Sequence, residues 1–228
     1  MKKIFYRKIK RDKDLPSRQV LSASKQAGMT LVELMVVLGI FMIVAGLTIF
    51  DYGKFRSTVS LQNLADDIAL SVRRAQNYAI GVRSSQSSVF TNGYGIHFTT
   101  ATSSSDVLSG TSKSFIVFSD ISLNRAYNYP AGNASCGSPT AGNECVDVLT
   151  ITSADYISSI CPNSVPANCA SGSSYTDISF LRPDPDAYIY ACTPTCNTYS
   201  SIDIIIKNSQ SGSTKTITIS NTGQISIK

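Results

Sequence analysis

The order of apolar and polar residues divides the chain into three parts, of which the first is an unbroken apolar segment. Between residues 29 and 50 the only charged side chain is Glu33. That length matches the roughly 20 residues that an α-helix needs to cross a lipid bilayer. No proline interrupts residues 29–82. The pattern therefore predicts one continuous helix over about residues 29–80, whose first half lies in lipid.

The second half of this predicted helix is amphipathic. Its apolar residues recur at spacings of three and four, while Gln62, Asp66, Arg73 and Asn77 point away from them. Such a stripe is typical of a helix that covers a globular core. Its members are Leu61, Leu64, Ala65, Ile68, Val72, Ala75 and Ala79. We therefore expect these side chains to be buried against the rest of the protein.

Beyond about residue 87 the pattern is that of short β-strands separated by turns. Apolar or alternating runs occur at residues 94–98, 115–118, 146–151, 201–206, 216–220 and 224–227. Asn92-Gly93 is a typical hairpin turn between residues 88–90 and the first of these runs. Stretches rich in Ser, Thr, Gly and Pro predict surface loops at residues 99–113, 130–144 and 162–176. The predicted fold class is α+β, a helix packed on an antiparallel sheet.

The charge distribution predicts the orientation of the apolar segment. The chain carries a formal net charge of +5, but residues 1–28 hold nine Lys and Arg against two acids and are +7, which leaves −2 for the remainder. A basic flank keeps the N-terminus in the cytoplasm and sends the C-terminus across the membrane. A cleavable secretory signal has a shorter apolar core of about 7–15 residues and an A-x-A-like site. Neither feature is present, so the segment is interpreted as an anchor.

The positions of the cysteines predict the same orientation of the chain in the membrane. All six lie beyond the anchor, at Cys136, Cys145, Cys161, Cys169, Cys192 and Cys196. An even number confined to the exported side indicates disulfides formed in an oxidising compartment. Fifteen pairings are formally open, and neighbours in sequence (136 with 145, 161 with 169, 192 with 196) are the favoured ones. A zinc site is disfavoured because His97 is the only histidine and no C-x-x-C pair occurs.

Residues 28–34, GMTLVEL, carry a family resemblance. A basic leader that ends in Gly28, a hydrophobic Met29 and a glutamate four residues later at the head of an apolar helix resemble the class III signal of type IV prepilins. The resemblance implies that prepilin peptidase cleaves between Gly28 and Met29 and methylates the new Met29 amine. It further implies a cleaved leader over residues 1–28, a transmembrane and filament-core segment over 29–53, and an exported head over 54–228.

The same resemblance implies a structural subunit that acts by polymerisation, without catalysis or a cofactor. Its partners would be other pilin or pseudopilin subunits, prepilin peptidase and the assembly platform of the inner membrane. It would be a single-pass inner-membrane protein before assembly and part of an extracytoplasmic filament afterwards. An unpaired carboxylate in lipid is costly, and cleavage supplies a partner for it. We therefore expect Glu33 to meet the Met29 amine of a neighbouring subunit.

The rest of the chain resembles the GspH/FimT-like minor pilins and pseudopilins. The similar segments are residues 64–80, 93–98, 180–184 and 217–227. Phe50 stands where pilins often have a helix-bending proline. The inserts over residues 130–176 are a second departure of this chain from the family pattern. The resemblance implies a minor subunit of a type IV pilus or of a type II secretion pseudopilus.

A DNA-binding subunit and an anchored enzyme are the two alternatives to a structural filament subunit. Relatives that bind DNA carry arginines in the last hairpin, where this chain reads GQISIK, so DNA uptake would depend on a basic patch of Arg73, Arg74 and Arg83. An anchored enzyme is the other alternative, but no G-x-S-x-G, P-loop or H-E-x-x-H motif occurs. A filament subunit is therefore the favoured interpretation, DNA capture the second, and catalysis the last.

Overall fold

The structure is a computed structural model that describes residues 28–81, 93–102, 107–129, 135–137, 139–140, 142–163, 165, 169, 174–184, 186–193 and 195–228. The chain divides into two compact units, Met1–Leu47 and Thr48–Lys228. The described residues form one long helix, α1 (Leu31–Ile80), a short 3₁₀ turn (Val107–Ser109) and ten strands. The strands are β1 (Gly93–Thr99), β2 (Ser114–Asp120), β3 (Cys145–Thr150), β4 (Asp155–Pro162), β5 (Tyr175–Phe180), β6 (Ala187–Cys192), β7 (Cys196–Tyr199), β8 (Ser201–Asn208), β9 (Thr214–Ser220) and β10 (Ile225–Ile227).

The long helix is continuous, as predicted. It comprises 50 residues and begins at Leu31, two residues after the expected start. The backbone stays helical through Gly39, Gly46 and residue 50. Thr30 caps the start of the helix, because its hydroxyl accepts a hydrogen bond from the amide of Glu33 and its carbonyl accepts one from the amide of Leu34. With the ten strands, this helix confirms the predicted α+β class.

The strands form two antiparallel sheets rather than the single sheet that the pattern predicted. One sheet has six strands in the order β3-β2-β1-β5-β6-β7, and the other has four in the order β10-β9-β8-β4. The division arises because β4 pairs with β8, about 45 residues later in the chain, and leaves its sequence neighbour β3 at the edge of the other sheet. A partner so distant in sequence leaves no mark in local periodicity. The sequence pattern also did not predict β4, β5, β6 and β7 as strands.

The amphipathic half of α1 covers the core as predicted. All seven residues of its stripe are buried, none with more than 8% of its surface exposed. They join one hydrophobic cluster with inward-facing residues of both sheets. Ile96, Ile178 and Ile189 come from the six-stranded sheet, and the second sheet contributes Ile204 and Ile217, among others. Burial of this stripe at roughly 25 cal/mol per Å² of apolar surface is what ties the second half of α1 to the strands.

The opposite face of the six-stranded sheet is partly covered by the chain between β2 and β3. Phe118 and Tyr127 belong to a second, smaller buried cluster on this face. Phe118 lies directly over β1, where a Cβ added to Gly95 would come within 2.5 Å of the ring. Only a glycine at this position allows so close an approach.

Two buried carboxylates hold residues 121–129, which we call the 121–129 loop. Glu144 is fully buried and accepts the amides of Ile121, Ser122 and Asn128 at 2.8–2.9 Å. Asp120 accepts the amides of Asn124 and Arg125 at 3.0–3.1 Å. The loop therefore has a defined path although it contains no regular secondary structure.

The structure pairs the cysteines with their sequence neighbours. The disulfides are Cys136–Cys145, Cys161–Cys169 and Cys192–Cys196, the three pairings that the sequence favoured. Cys192 and Cys196 are direct cross-strand partners of β6 and β7. Each bond closes a short loop, which the chain-entropy account values at about 2–3 kcal/mol.

Candidate functional site

The candidate site is the start of α1. Gly28 and Met29 precede the helix and are exposed. The Thr30 hydroxyl accepts the amide of Glu33 at 3.2 Å, and the Thr30 carbonyl accepts the amide of Leu34 at 3.1 Å. Thr30 is thus the N-cap residue. The junction between Gly28 and Met29 is therefore an exposed peptide bond just outside a capped helix.

Glu33 is the third residue of the helix, and its spacing from Thr30 is that of a capping box. The T-x-x-E signal is visible in the sequence, yet the interpretation of Glu33 overlooked it. Within residues 28–81 the structure forms only the forward half of the box, from the Glu33 amide to the Thr30 hydroxyl. The carboxylate makes no return bond there, and it lies at the end of the helix that favours negative charge.

An exposed apolar surface surrounds Glu33 on all sides of the helix. Met29, Leu31 and Met35 expose 60–74% of their surface, and Val32 and Leu34 on neighbouring faces are exposed as well. Of the described helices, α1 is long and apolar enough to cross a membrane. A helix that is apolar all round normally lies in lipid or in a protein core. Glu33 is therefore the one charged group in a segment suited to an apolar environment.

A cut between Gly28 and Met29 would bring a second charged group to this segment. An α-amine has a pKa near 8 and is largely cationic at neutral pH, so a cut after Gly28 would place a positive charge beside this apolar segment. Met29 lies before the first turn, so the spacing of a regular helix does not set the position of its amine over Glu33 of the same chain.

The structure describes two of the three arginines of the predicted basic patch, Arg73 and Arg74. Arg73 is exposed on α1. Arg74 donates from Nε to the Tyr78 hydroxyl at 2.7 Å and forms an ion pair with Asp147 at 3.4 Å. Arg83 lies outside the described residues. Arg74 is therefore engaged with its own chain, and an acidic residue stands beside it.

His97, the only histidine of the chain, lies on the central strand β1 and is buried. Its Nδ1 atom is 2.6 Å from Oδ1 of Asp177, which is also buried. The two residues are 80 positions apart, so no local pattern announces the pair. Within the described residues no group of three His, Cys, Asp or Glu side chains is placed to hold a metal ion.

Comparison with known protein families gives a match at the N-terminal end of the chain. The family model described as "Prokaryotic N-terminal methylation motif" matches residues 23–49, a range that contains Gly28, Met29 and Glu33. No curated protein and no solved structure matches the chain. The match supports a type IV pilin-like family for this chain and indicates prepilin-type processing of its N-terminus.

Proposed function

We propose that the chain is a minor subunit of a type IV pilus or of a type II secretion pseudopilus, of the GspH/FimT type. One observation carries the proposal. Glu33 is the only charged side chain between residues 29 and 50, in a helical segment whose large apolar residues are exposed on every side. Such a segment needs an apolar environment all round, first lipid and then the helices of other subunits.

Processing precedes assembly. Prepilin peptidase cleaves between Gly28 and Met29 at the cytoplasmic face and methylates the Met29 amine. The cut removes a segment of net charge +7 and leaves a mature chain of −2. Removal of the basic leader also removes the electrostatic hold on the cytoplasmic side of the membrane. The mature subunit is then able to move out of the bilayer into a filament.

Glu33 sets the axial register of assembly. An acidic side chain costs about 2.5–3.5 kcal/mol at the centre of a membrane helix on insertion scales. Glu33 lies in the first turn of α1, where the cost of an unpaired carboxylate is smaller but has the same sign. When a subunit enters beneath its neighbour, the Met29 amine of one chain meets Glu33 of the other and both charges are compensated. The cost of the unpaired carboxylate thereby becomes a preference for the assembled state, in the one register that brings the two groups together.

The head is the exported part and distinguishes this subunit from others. Its similarity to GspH/FimT-like proteins at the end of α1, in β1 and in the β9–β10 hairpin supports a minor role. Its other partners are the assembly platform in the inner membrane and neighbouring subunits. The last hairpin carries no arginine, so we place a structural role before DNA capture.

Mass spectrometry of the N-terminus tests the processing step. The chain purified from membranes of a cell that contains prepilin peptidase should begin with N-methylated Met29. Gly28→Val should leave the leader attached, because it enlarges the residue at the junction, whereas Ala27→Val beside it should be processed as usual. A different N-terminus, or normal processing of Gly28→Val, would contradict the assignment of the junction.

A gel-shift titration decides between the two roles of the head. The mature chain should not bind duplex DNA at micromolar concentration in about 150 mM salt. Salt-sensitive binding that disappears when Arg73, Arg74 and Arg83 are all replaced by Ala would put DNA capture first, since phosphate contacts by Arg and Lys dominate such affinity.

A further inference from the structure

A cleft lies on the face of the six-stranded sheet that α1 does not cover. It has a volume of about 630 Å³, within the range of about 300–1,000 Å³ typical of small-molecule sites. The 121–129 loop forms one wall, and strands β1, β5 and β6 form the floor. The cleft is rich in aromatic side chains, namely His97, Tyr127, Tyr129, Tyr175, Tyr188 and Tyr190.

The floor of the cleft is a row of side chains across three neighbouring strands. His97 of β1 stands opposite Asp177 of β5, which stands opposite Tyr190 of β6. Alternation along a strand turns these residues away from the helix, because their neighbours Ile96 and Ile178 are part of the core beneath α1. The row is therefore fixed by the same register that builds the core.

Asp177 connects the floor to the wall. Its Oδ1 atom is 2.6 Å from Nδ1 of His97, and its Oδ2 atom accepts the amide of Tyr127 at 3.2 Å. The His97 ring in turn lies 5.0 Å from the Tyr127 ring and 5.7 Å from the Tyr175 ring, centre to centre. Tyr127 also stacks on Tyr129 at 5.8 Å. These contacts hold the aromatic rings in place before any ligand arrives.

The charges of the lining residues disfavour a charged ligand. Among the described residues that line the cleft there is no Lys or Arg, although the Arg125 guanidinium lies over the Tyr188 ring at 5.0 Å. An anion would therefore find a counter-charge only beside Tyr188. Asp177 is the one carboxylate among the described lining residues, and both of its oxygens are already bonded within the chain. Apart from His97, the other polar groups of the described lining are uncharged hydroxyls and amides, which include the amides of Asn124 and Asn128. Such a lining offers flat apolar rings together with uncharged donors and acceptors.

We propose that this cleft binds a neutral oligosaccharide. A sugar ring has an apolar C–H face and a rim of hydroxyl groups. The face would pack on the Tyr175 ring, which is 36% exposed at the mouth, and on Tyr190 beside it. The rim would exchange hydrogen bonds with the asparagine amides and the tyrosine hydroxyls. The proposal concerns the head alone and does not depend on how the subunit is processed or assembled.

Saturation-transfer NMR on the full mature chain tests this binding. The chain is held in a polyoxyethylene detergent, because glucoside and maltoside detergents carry sugars and phosphocholine detergents carry a quaternary ammonium. The probes are maltotriose, cellotriose and triacetylchitotriose, with tetramethylammonium as the competing class, since tyrosine cages also bind such cations. At least one of the three sugars should give a saturable signal with a Kd in the millimolar range or below.

Variants assign the signal to the cleft. Tyr175→Ala and Tyr190→Ala should each raise the Kd at least tenfold, and Tyr190→Phe should raise it less because the ring remains. Tyr52→Ala, which removes an exposed tyrosine of α1, should leave it unchanged, and matching thermal unfolding of the variants excludes loss of the fold. Three results would each overturn the proposal: no binding of any of the three sugars, binding that Tyr175→Ala and Tyr190→Ala leave unchanged, or binding of tetramethylammonium alone.

Discussion

The two halves of α1 belong to one uninterrupted helix, yet they have opposite relations to their surroundings. Over Leu31–Leu47 the large apolar side chains are exposed on all faces, and none of them lies in the core. Over Leu61–Ala79 the seven stripe residues lie on one face and are buried, while the opposite face carries mainly polar groups together with the exposed Leu70. An apolar stripe on one face of a helix can be buried against the strands of the same chain. An all-round apolar surface needs lipid or other chains, and this difference is the physical basis for an assembling subunit.

The largest expected effect concerns the first half. Glu33→Ala should reduce incorporation into filaments below detection, because in the pairing that we propose the Met29 amine of the neighbouring subunit would lose its partner. Insertion into the membrane should persist, since the change makes the segment more apolar. The measurement is an immunoblot of sheared filaments beside one of the membrane fraction.

Two matched variants separate the charge of Glu33 from its place in the helix cap. Glu33→Gln keeps size and polarity and should fail as Glu33→Ala does. Thr30→Ala removes the cap, at a cost of about 0.5–2 kcal/mol, but keeps the carboxylate and should still assemble. Normal assembly of Glu33→Gln would refute the pairing of charges, and failure of Thr30→Ala alone would make the cap the essential feature.

The next largest effect is expected when an isoleucine is replaced by alanine in each half of α1 and the free energies of unfolding of the two variants are compared. Ile68 is fully buried between α1 and the strands, whereas Ile40 is 59% exposed. Ile68→Ala should lower the free energy of unfolding of the head by about 2–5 kcal/mol, through lost transfer energy and a residual cavity. Ile40→Ala should leave it unchanged within about 0.5 kcal/mol.

Denaturant unfolding of both variants in the same detergent, followed by the circular dichroism of the head, measures this difference. An equal loss from the two variants would mean that the first half also packs on the head. That result would remove the contrast on which the assembly proposal rests.

The contrast between the halves was predictable because it depends on local periodicity. The seven stripe residues and the α+β class follow from spacings of three and four in α1 and from short alternating runs afterwards. Pairing between distant segments was not predictable. The β4–β8 pairing divides the strands into two sheets, and the His97–Asp177 contact joins residues 80 positions apart. Thr30 shows a third case, a local capping signal that was present in the sequence and overlooked.

Glu144 offers a second comparison with Glu33, as a carboxylate that is satisfied within its own chain. Three backbone amides bind it, yet burial raises its pKa, and burial likewise raises the pKa of Asp120. A folded-state pKa above the unfolded value means that the folded head binds the proton more tightly. Stability should therefore fall as the pH rises from about 4, the ordinary carboxyl pKa, through the raised values.

Thermal unfolding at several pH values between 4.5 and 7.5 measures this effect. The melting temperature of the wild-type head should be a few degrees higher at the acidic end. Glu144→Gln should flatten this dependence, although it lowers the melting temperature overall because one acceptor oxygen is lost. Asp66→Asn removes the same charge from the exposed face of α1 and should leave the slope intact. A slope that Glu144→Gln does not change would assign the effect to other groups.

The smallest effect is expected where the second half of α1 meets β3 at the surface. Arg74 and Asp147 form an ion pair at 3.4 Å, with 42% and 45% of their side chains exposed. Exposed pairs contribute about 0–1 kcal/mol, so a double-mutant cycle of Arg74→Ala and Asp147→Ala should give a coupling below about 0.5 kcal/mol. Arg74→Ala alone should cost more than Asp147→Ala, because Arg74 also donates to Tyr78 and lies over its ring. A coupling well above 1 kcal/mol would show that electrostatics, and not only the apolar stripe, hold the second half of α1 on the head.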